Sequence, residues 1–184
     1  NGESAGSLVA GGVIAQLGAE GLAAPSAADT RRVYNSPDIS ISQDVLQDRR
    51  FVSISVGSGY RAHPLDNSAT DRFYSIRDPD VFSKLSQADY DSYSIITESN
   101  LIDVSGQVRT VITPDKKGWM FTMPATHKVI AGATTVDDTV YFIGFSPQTN
   151  EANGCSPSVG KNFLYAVSVV NGDPIVDDLE NLAP

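Results

Sequence analysis

Two runs near the C-terminus, Thr139 to Phe145 and Phe163 to Val170, are apolar on both faces. Successive side chains of a strand point to opposite faces, so such a strand has no face to give to water. It has to be sandwiched between other layers. Stacked small sheets, as in a propeller or a sandwich, are the arrangements that provide those layers.

The remaining segments read as short strands and turns. Arg50 to Gly57 alternates, with Val52, Ile54 and Val56 on one face and Phe51, Ser53 and Ser55 on the other. Asp71 to Arg77 is a second strand, with residues 60–70 connecting the two. Gly118 to Met123 and Lys128 to Thr135 are further strands, with a turn at Asp137-Asp138; Asn171-Gly172 is another tight-turn signal. Weaker strand signals lie at Gly12 to Leu17 and Gln107 to Ile112. Arg31 to Ser42 is interrupted by Pro37, which reduces it to two short pieces or an edge strand. Asp78-Pro79 resembles an N-cap followed by Pro at the first helical position, so a short helix is predicted over 79–87. A turn of helix is expected near Asn100 to Asp103. Gly18 to Asp29, rich in Ala, Gly and Ser, reads as a flexible loop. Three regions follow: a Gly/Ala-rich strand and loop over 1–30, a blade region with its insertion over 31–123, and a last blade region over 124–184.

Ser53 to Gly57 followed by Arg72 to Ile76 is echoed by Tyr141 to Phe145 followed by Phe163 to Val167, which sets Tyr74 and Tyr165 91 residues apart. That spacing suits two periods of a roughly 45-residue blade, or one blade with an insertion. The expected fold is therefore all-β: a partial β-propeller of about two to three blades of four-stranded antiparallel sheet, with a short helical insertion. With 184 residues the chain is too short to close a ring, which takes at least about four blades.

Charge and composition narrow the functions. A net charge of −9 argues against binding a phosphate backbone, which calls for clustered Lys and Arg, so no nucleic-acid partner is expected. No apolar run reaches the roughly 18 residues of a membrane span. One cysteine and two histidines are too few for a disulfide framework or a structural zinc site. Seventeen of the 22 acids are Asp, a residue that favours turns and also ligates calcium. The nearest calcium-like pattern, Asp66-Asn67-Ser68-Ala69-Thr70-Asp71, lacks the turn Gly at its sixth position and has Arg77 where the bidentate acid belongs. No metal site is expected in this chain.

Ser58 and His63 invite a triad, but Val56 stands where a nucleophile elbow needs its first Gly. No catalytic residue is assigned, and the two glycines around Ser58 read as a tight strand exit that permits positive φ. Tyr60, Arg61 and His63 form the candidate binding patch, because loops on a rigid frame carry function. Packing of the loop is the competing role for them. Arg72 and Arg77 have Asp71, Asp78 and Asp80 within reach as surface partners, pairs worth only about 0–1 kcal/mol. Trp119 reads as a blade core residue. Cys155 calls for a partner outside this chain or stands as a free thiol.

Several short motifs in order carry a family resemblance. Gly57-Ser58-Gly59-Tyr60-Arg61-Ala62-His63-Pro64-Leu65, then Asp71-Arg72-Phe73-Tyr74-Ser75-Ile76-Arg77-Asp78, resembles a signature of the PilC/PilY family of type IV pilus tip-associated proteins. Arg31 to Asp38 resembles the family's strand before that signature. Gly118-Trp119, Ala131 to Phe145, Asn153-Gly154-Cys155-Ser156, Leu164-Tyr165-Ala166 and Asn171-Gly172 follow in the family's order. The resemblance covers roughly 1–180 and implies part of a C-terminal β-propeller. It also implies export to the periplasm, pilus tip or bacterial surface, with any signal peptide removed or lying upstream of Asn1. The implied work is support of pilus assembly, control of retraction and surface attachment. The implied partners are minor pilins, the remaining propeller of the same protein, and a host or abiotic surface. The family's calcium loop would lie upstream of Asn1, so Ca2+ belongs to the parent protein and no cofactor is expected here. Two other readings compete: a periplasmic quinoprotein-like propeller enzyme, and a self-contained β-sandwich interaction domain.

Overall fold

The computed structural model describes residues 13–147 and 160–175, apart from positions 84 and 108. The predicted loop 146–160, Cys155 and the motif around it fall almost wholly outside the described residues. The described part is mostly sheet with few helices. The first sheet contains β1 (Asp38–Asp44), β2 (Arg49–Gly57), β3 (Arg72–Asp78), β4 (Ile102–Asp103) and β5 (Gly118–Thr122), in the order β1-β2-β3-β5-β4. All pairs are antiparallel except β4–β5, which is parallel and departs from the expected antiparallel blade. Pro37 ends where β1 begins, and β1 is an edge strand.

The second sheet contains β6 (Lys128–Val129), β7 (Thr134–Val136), β8 (Thr139–Ser146) and β9 (Lys161–Ser168). β9 pairs along the whole of β8, while β6 and β7 pair with opposite ends of β8's other edge. β7 and β8 are joined by Asp137 and Asp138, both at positive φ (47° and 58°), the geometry of a two-residue type I′ turn. The expected strand 128–135 is thus two short strands. The echoed segments, β2–β3 and β8–β9, are each an antiparallel pair.

The sheets stack on one core. Phe73, Val104, Ile112, Trp119, Met123, Val129, Val140 and Phe142 fill it. The rings of Phe73 and Phe142 lie 3.9 Å apart and nearly parallel, and Phe142 stacks in turn on Tyr165 at 4.8 Å. Trp119 is fully buried and donates its indole N–H to the carbonyl of Val169 at 3.0 Å, which meets the polar need of a buried indole. The inner face of the first sheet is unusual in carrying serines. Ser53, Ser55 and Ser75 are fully buried, and their hydroxyls pair at 3.2 and 3.0 Å, so burial leaves them satisfied. The other face of that sheet bears a second cluster of Val56, Tyr74, Ile76, Ile96 and Leu101. Ala15 and Leu17 pack onto it.

Three predicted elements differ. The segment 79–87 is not one helix. Asp80–Phe82 forms a 3-10 turn, with Asp78 accepting from the Asp80 N–H at 2.9 Å, and a separate short helix α1 (Gln87–Asp91) starts behind Ser86. The side chain of Asp78 engages the backbone at the 3-10 turn, and Ser86 caps α1 by accepting from the Asp89 N–H. Of the predicted strand Gly12 to Leu17, the described residues 13–17 contribute only an isolated parallel bridge between Ala15 and Ile96. Among the described residues of 107–112 there is no strand. Gly18 to Asp29 carries two 3-10 turns, at Gly18–Gly21 and Ala27–Asp29, and a further one at Glu98–Asn100 precedes β4.

Candidate functional site

The loop between β2 and β3 is anchored at both ends by one buried polar group. Ser58 is fully buried; its hydroxyl donates to Asp71 at 2.8 Å and accepts from the Arg72 N–H at 3.0 Å. The Ser58 carbonyl accepts from the Val129 N–H, tying the loop base to β6. Asp71 is itself buried, and burial raises its pKa against the pull of Ser58 and Lys128. Lys128 is almost fully buried, and its ammonium donates to Asn67 Oδ1 at 2.9 Å and to the Thr126 carbonyl. Burial lowers the pKa of Lys128, with Asp71 and Asp66 opposing. A lysine on β6 therefore pins the middle of a loop 61 residues away in sequence.

The flanking glycines have a different reason from the one expected. Neither Gly57 nor Gly59 is at positive φ. A Cβ on Gly57 would lie 2.4 Å from the Val129 side chain, and one on Gly59 would lie 2.7 Å from the Val129 carbonyl. The pair of glycines lets β6 approach the backbone.

On this base the three predicted patch residues come together only in part. Tyr60 is half-buried under the guanidinium of Arg32, 4.1 Å from its ring centre, and its ring lies 5.9 Å from that of exposed His63. Arg61 is exposed and its side chain has no partner among the described residues. The result is a cation–aromatic–imidazole surface suited to stacking and to hydrogen bonding with a partner. Arg32 was missed because it lies 28 residues upstream, with no local signal tying it to Tyr60. Ser58 and His63 do not form a nucleophile–base pair, since the Ser58 hydroxyl is engaged with Asp71. In the calcium-like stretch, Asp66 accepts from the Ser68 N–H at 2.8 Å, Asn67 from Lys128 and Asp71 from Ser58, so the oxygens serve loop bonds. No group of three or more acidic, histidine or cysteine ligands is present among the described residues.

The two arginines of β3 overturn the surface-pair expectation. Arg72 bonds Glu98, not Asp71. Glu98 also accepts from the Tyr74 hydroxyl and from the Gly18 N–H, and pairs with Arg31 at 3.3 Å. Burial, then the bond to Glu98, pushes the Tyr74 pKa well above the usual tyrosine value. Arg77 faces the other way, pairs with buried Asp44 at 3.1 Å and lies 4.5 Å over the Phe51 ring. Alternation along β3 sends these arginines to partners that other elements bring to each face. Asp80 is left to Arg49 and to the hydroxyl of Tyr93.

No family model matches the chain, and no curated protein or solved structure matches it either.

Proposed function

We propose that this chain is part of the C-terminal β-propeller of a PilC/PilY-type protein, an exported, non-enzymatic binding scaffold that supports pilus assembly, retraction control and attachment. The ordered motifs from Arg31 to Gly172 supply the family. The observation that carries the reading is the outer face of the second sheet. β8 and β9 bury Val140 and Phe142 on one side, while Tyr141, Ile143 and Leu164 stand 39%, 39% and 54% exposed. A sheet apolar on both faces and covered on one is what a blade looks like without its neighbour. The two stacked sheets would be two blades, and the Tyr60–Arg61–His63 loop would be presented at their edge to a minor pilin or a surface.

The stacking of Phe73 on Phe142 across two sheets favours one other reading, a self-contained β-sandwich interaction domain. Shearing pili from the source cells and measuring the intact mass of the protein bearing these residues separates the two. A mass far above 19.6 kDa in the pilus fraction is the expected result. A 19.6 kDa species that stays out of the pilus fraction and unfolds cooperatively as a monomer overturns the proposal in favour of the sandwich.

A further inference from the structure

Away from the loop patch, a small cleft opens where the β1–β2 hairpin meets the segment before β5. Four of the chain's 13 basic residues line it: Arg49, Arg77, Lys116 and Lys117. Asp44 is the one acid in its wall. That concentration is unexpected in a chain of net charge −9. Phe51 and Pro114 supply apolar walls, which lower the local dielectric and strengthen the field of the cations.

The donors are unevenly spent. Asp44 is committed to Arg77 and to the N–H groups of Leu46 and Gln47. Arg77 uses one terminal nitrogen on Asp44 and the other on the Val170 carbonyl, and its buried Nε has no partner. Lys116 donates to the Ser99 carbonyl at 2.9 Å and has the exposed Asp115 beside it. Arg49 reaches Asp80 at 3.4 Å with half its side chain in solvent. The Lys117 ammonium has no hydrogen-bonding or ionic partner among the described residues. An unmet buried donor beside unneutralised charge costs free energy that an anion would recover. The recess of about 30 Å³ has room for one compact group.

We propose that this cleft is an oxyanion-binding site, taking a single carboxylate or phosphate group against Lys117, Arg49 and Arg77. Arginine and lysine in an apolar recess are the chemistry that recognises such a group. The proposal is independent of the pilus reading.

The test is titration of the full 184-residue chain at low ionic strength with inorganic phosphate and, separately, with acetate, read from backbone amide NMR shifts. Saturable shifts at Phe51, Lys116 and Lys117 are expected with at least one probe. Tighter binding of phosphate points to a phosphoryl ligand, and tighter binding of acetate to the carboxylate of a partner peptide. Arg49→Ala combined with Lys117→Ala should weaken binding by about tenfold or more. Lys161→Ala, on exposed β9, should leave it unchanged. Near-ultraviolet dichroism of Trp119 reports whether the double variant folds; if it does not, Lys117→Gln alone takes its place. No saturable response to either probe, or an equal response in the variant, overturns the proposal.

Discussion

In the first sheet the central strands are covered on both faces: serines, Phe73 and Trp119 meet the second sheet, and Val56, Tyr74 and Ile76 are covered from the other side by Ile96, Leu101 and the chain around Leu17, while Ile39 and Ile41 of the edge strand β1 stand exposed. In the second sheet one face is core and the other presents Tyr141, Ile143 and Leu164. The more polar sheet is thus the more enclosed one. Serine on a strand does not mark the solvent face when neighbouring hydroxyls satisfy each other, and apolar residues do not by themselves mark a buried face.

The largest test of that contrast uses adjacent residues of β8. Phe142→Ala empties a site between Phe73 and Tyr165 and should cost about 3–5 kcal/mol in denaturant unfolding. Ile143→Ala, on the outer face, should cost less than about 1 kcal/mol. Equal costs would show that the outer face is covered after all.

Next in size is the seam between the sheets. Gly57→Ala drives a Cβ into Val129 and should destabilise by about 1–3 kcal/mol, read from the same unfolding curves. Gly132→Ala, whose Cβ would meet nothing within 4 Å, should be close to neutral. A neutral Gly57→Ala would mean that β6 does not sit against the loop base in solution.

The smallest effect is a pH dependence confined to the second sheet. His127 stacks on Phe163 at 4.6 Å and faces the Tyr165 hydroxyl at 3.3 Å. Burial lowers its pKa below the usual 6.5, so the folded state binds the proton less well than the unfolded chain. Its contribution is complete above pH 6.5 and is lost as pH falls through the lowered value. Stability should therefore decline by less than about 1 kcal/mol on acidification from pH 7 to 5, and His127→Gln should remove that part of the slope in thermal melts. An unchanged slope would place His127 in solvent.

Much of the strand framework is legible along the chain. The alternation of residues 50–57 and the turn at Asp137-Asp138 rest on local backbone physics and appear in the structure; of the two outcomes open for residues 31–42, two short pieces or an edge strand, the structure has one edge strand that starts just after Pro37. The helix over 79–87 failed where the carboxylate of Asp78 and the hydroxyl of Ser86 offered the backbone nearer partners. Residues 13–17, the described part of the predicted strand 12–17, have strand composition yet form one bridge, to Ile96, and no ladder. Of the site, Tyr60 and His63 were visible in the loop. Arg32, Asn67 and Lys128 were not, because their roles depend on contacts between segments distant in sequence.

The sequence by itself determined that this chain makes short strands and tight turns and that its last strands are apolar on both faces, since these follow from side-chain period and turn chemistry within a few residues. Only the tertiary structure decided which face of each strand is enclosed, where Arg72 and Arg77 find their carboxylates, and why Gly57 and Gly59 are glycines. Those outcomes depend on which surface another layer brings within contact distance, and packing and desolvation act between groups that are neighbours in space.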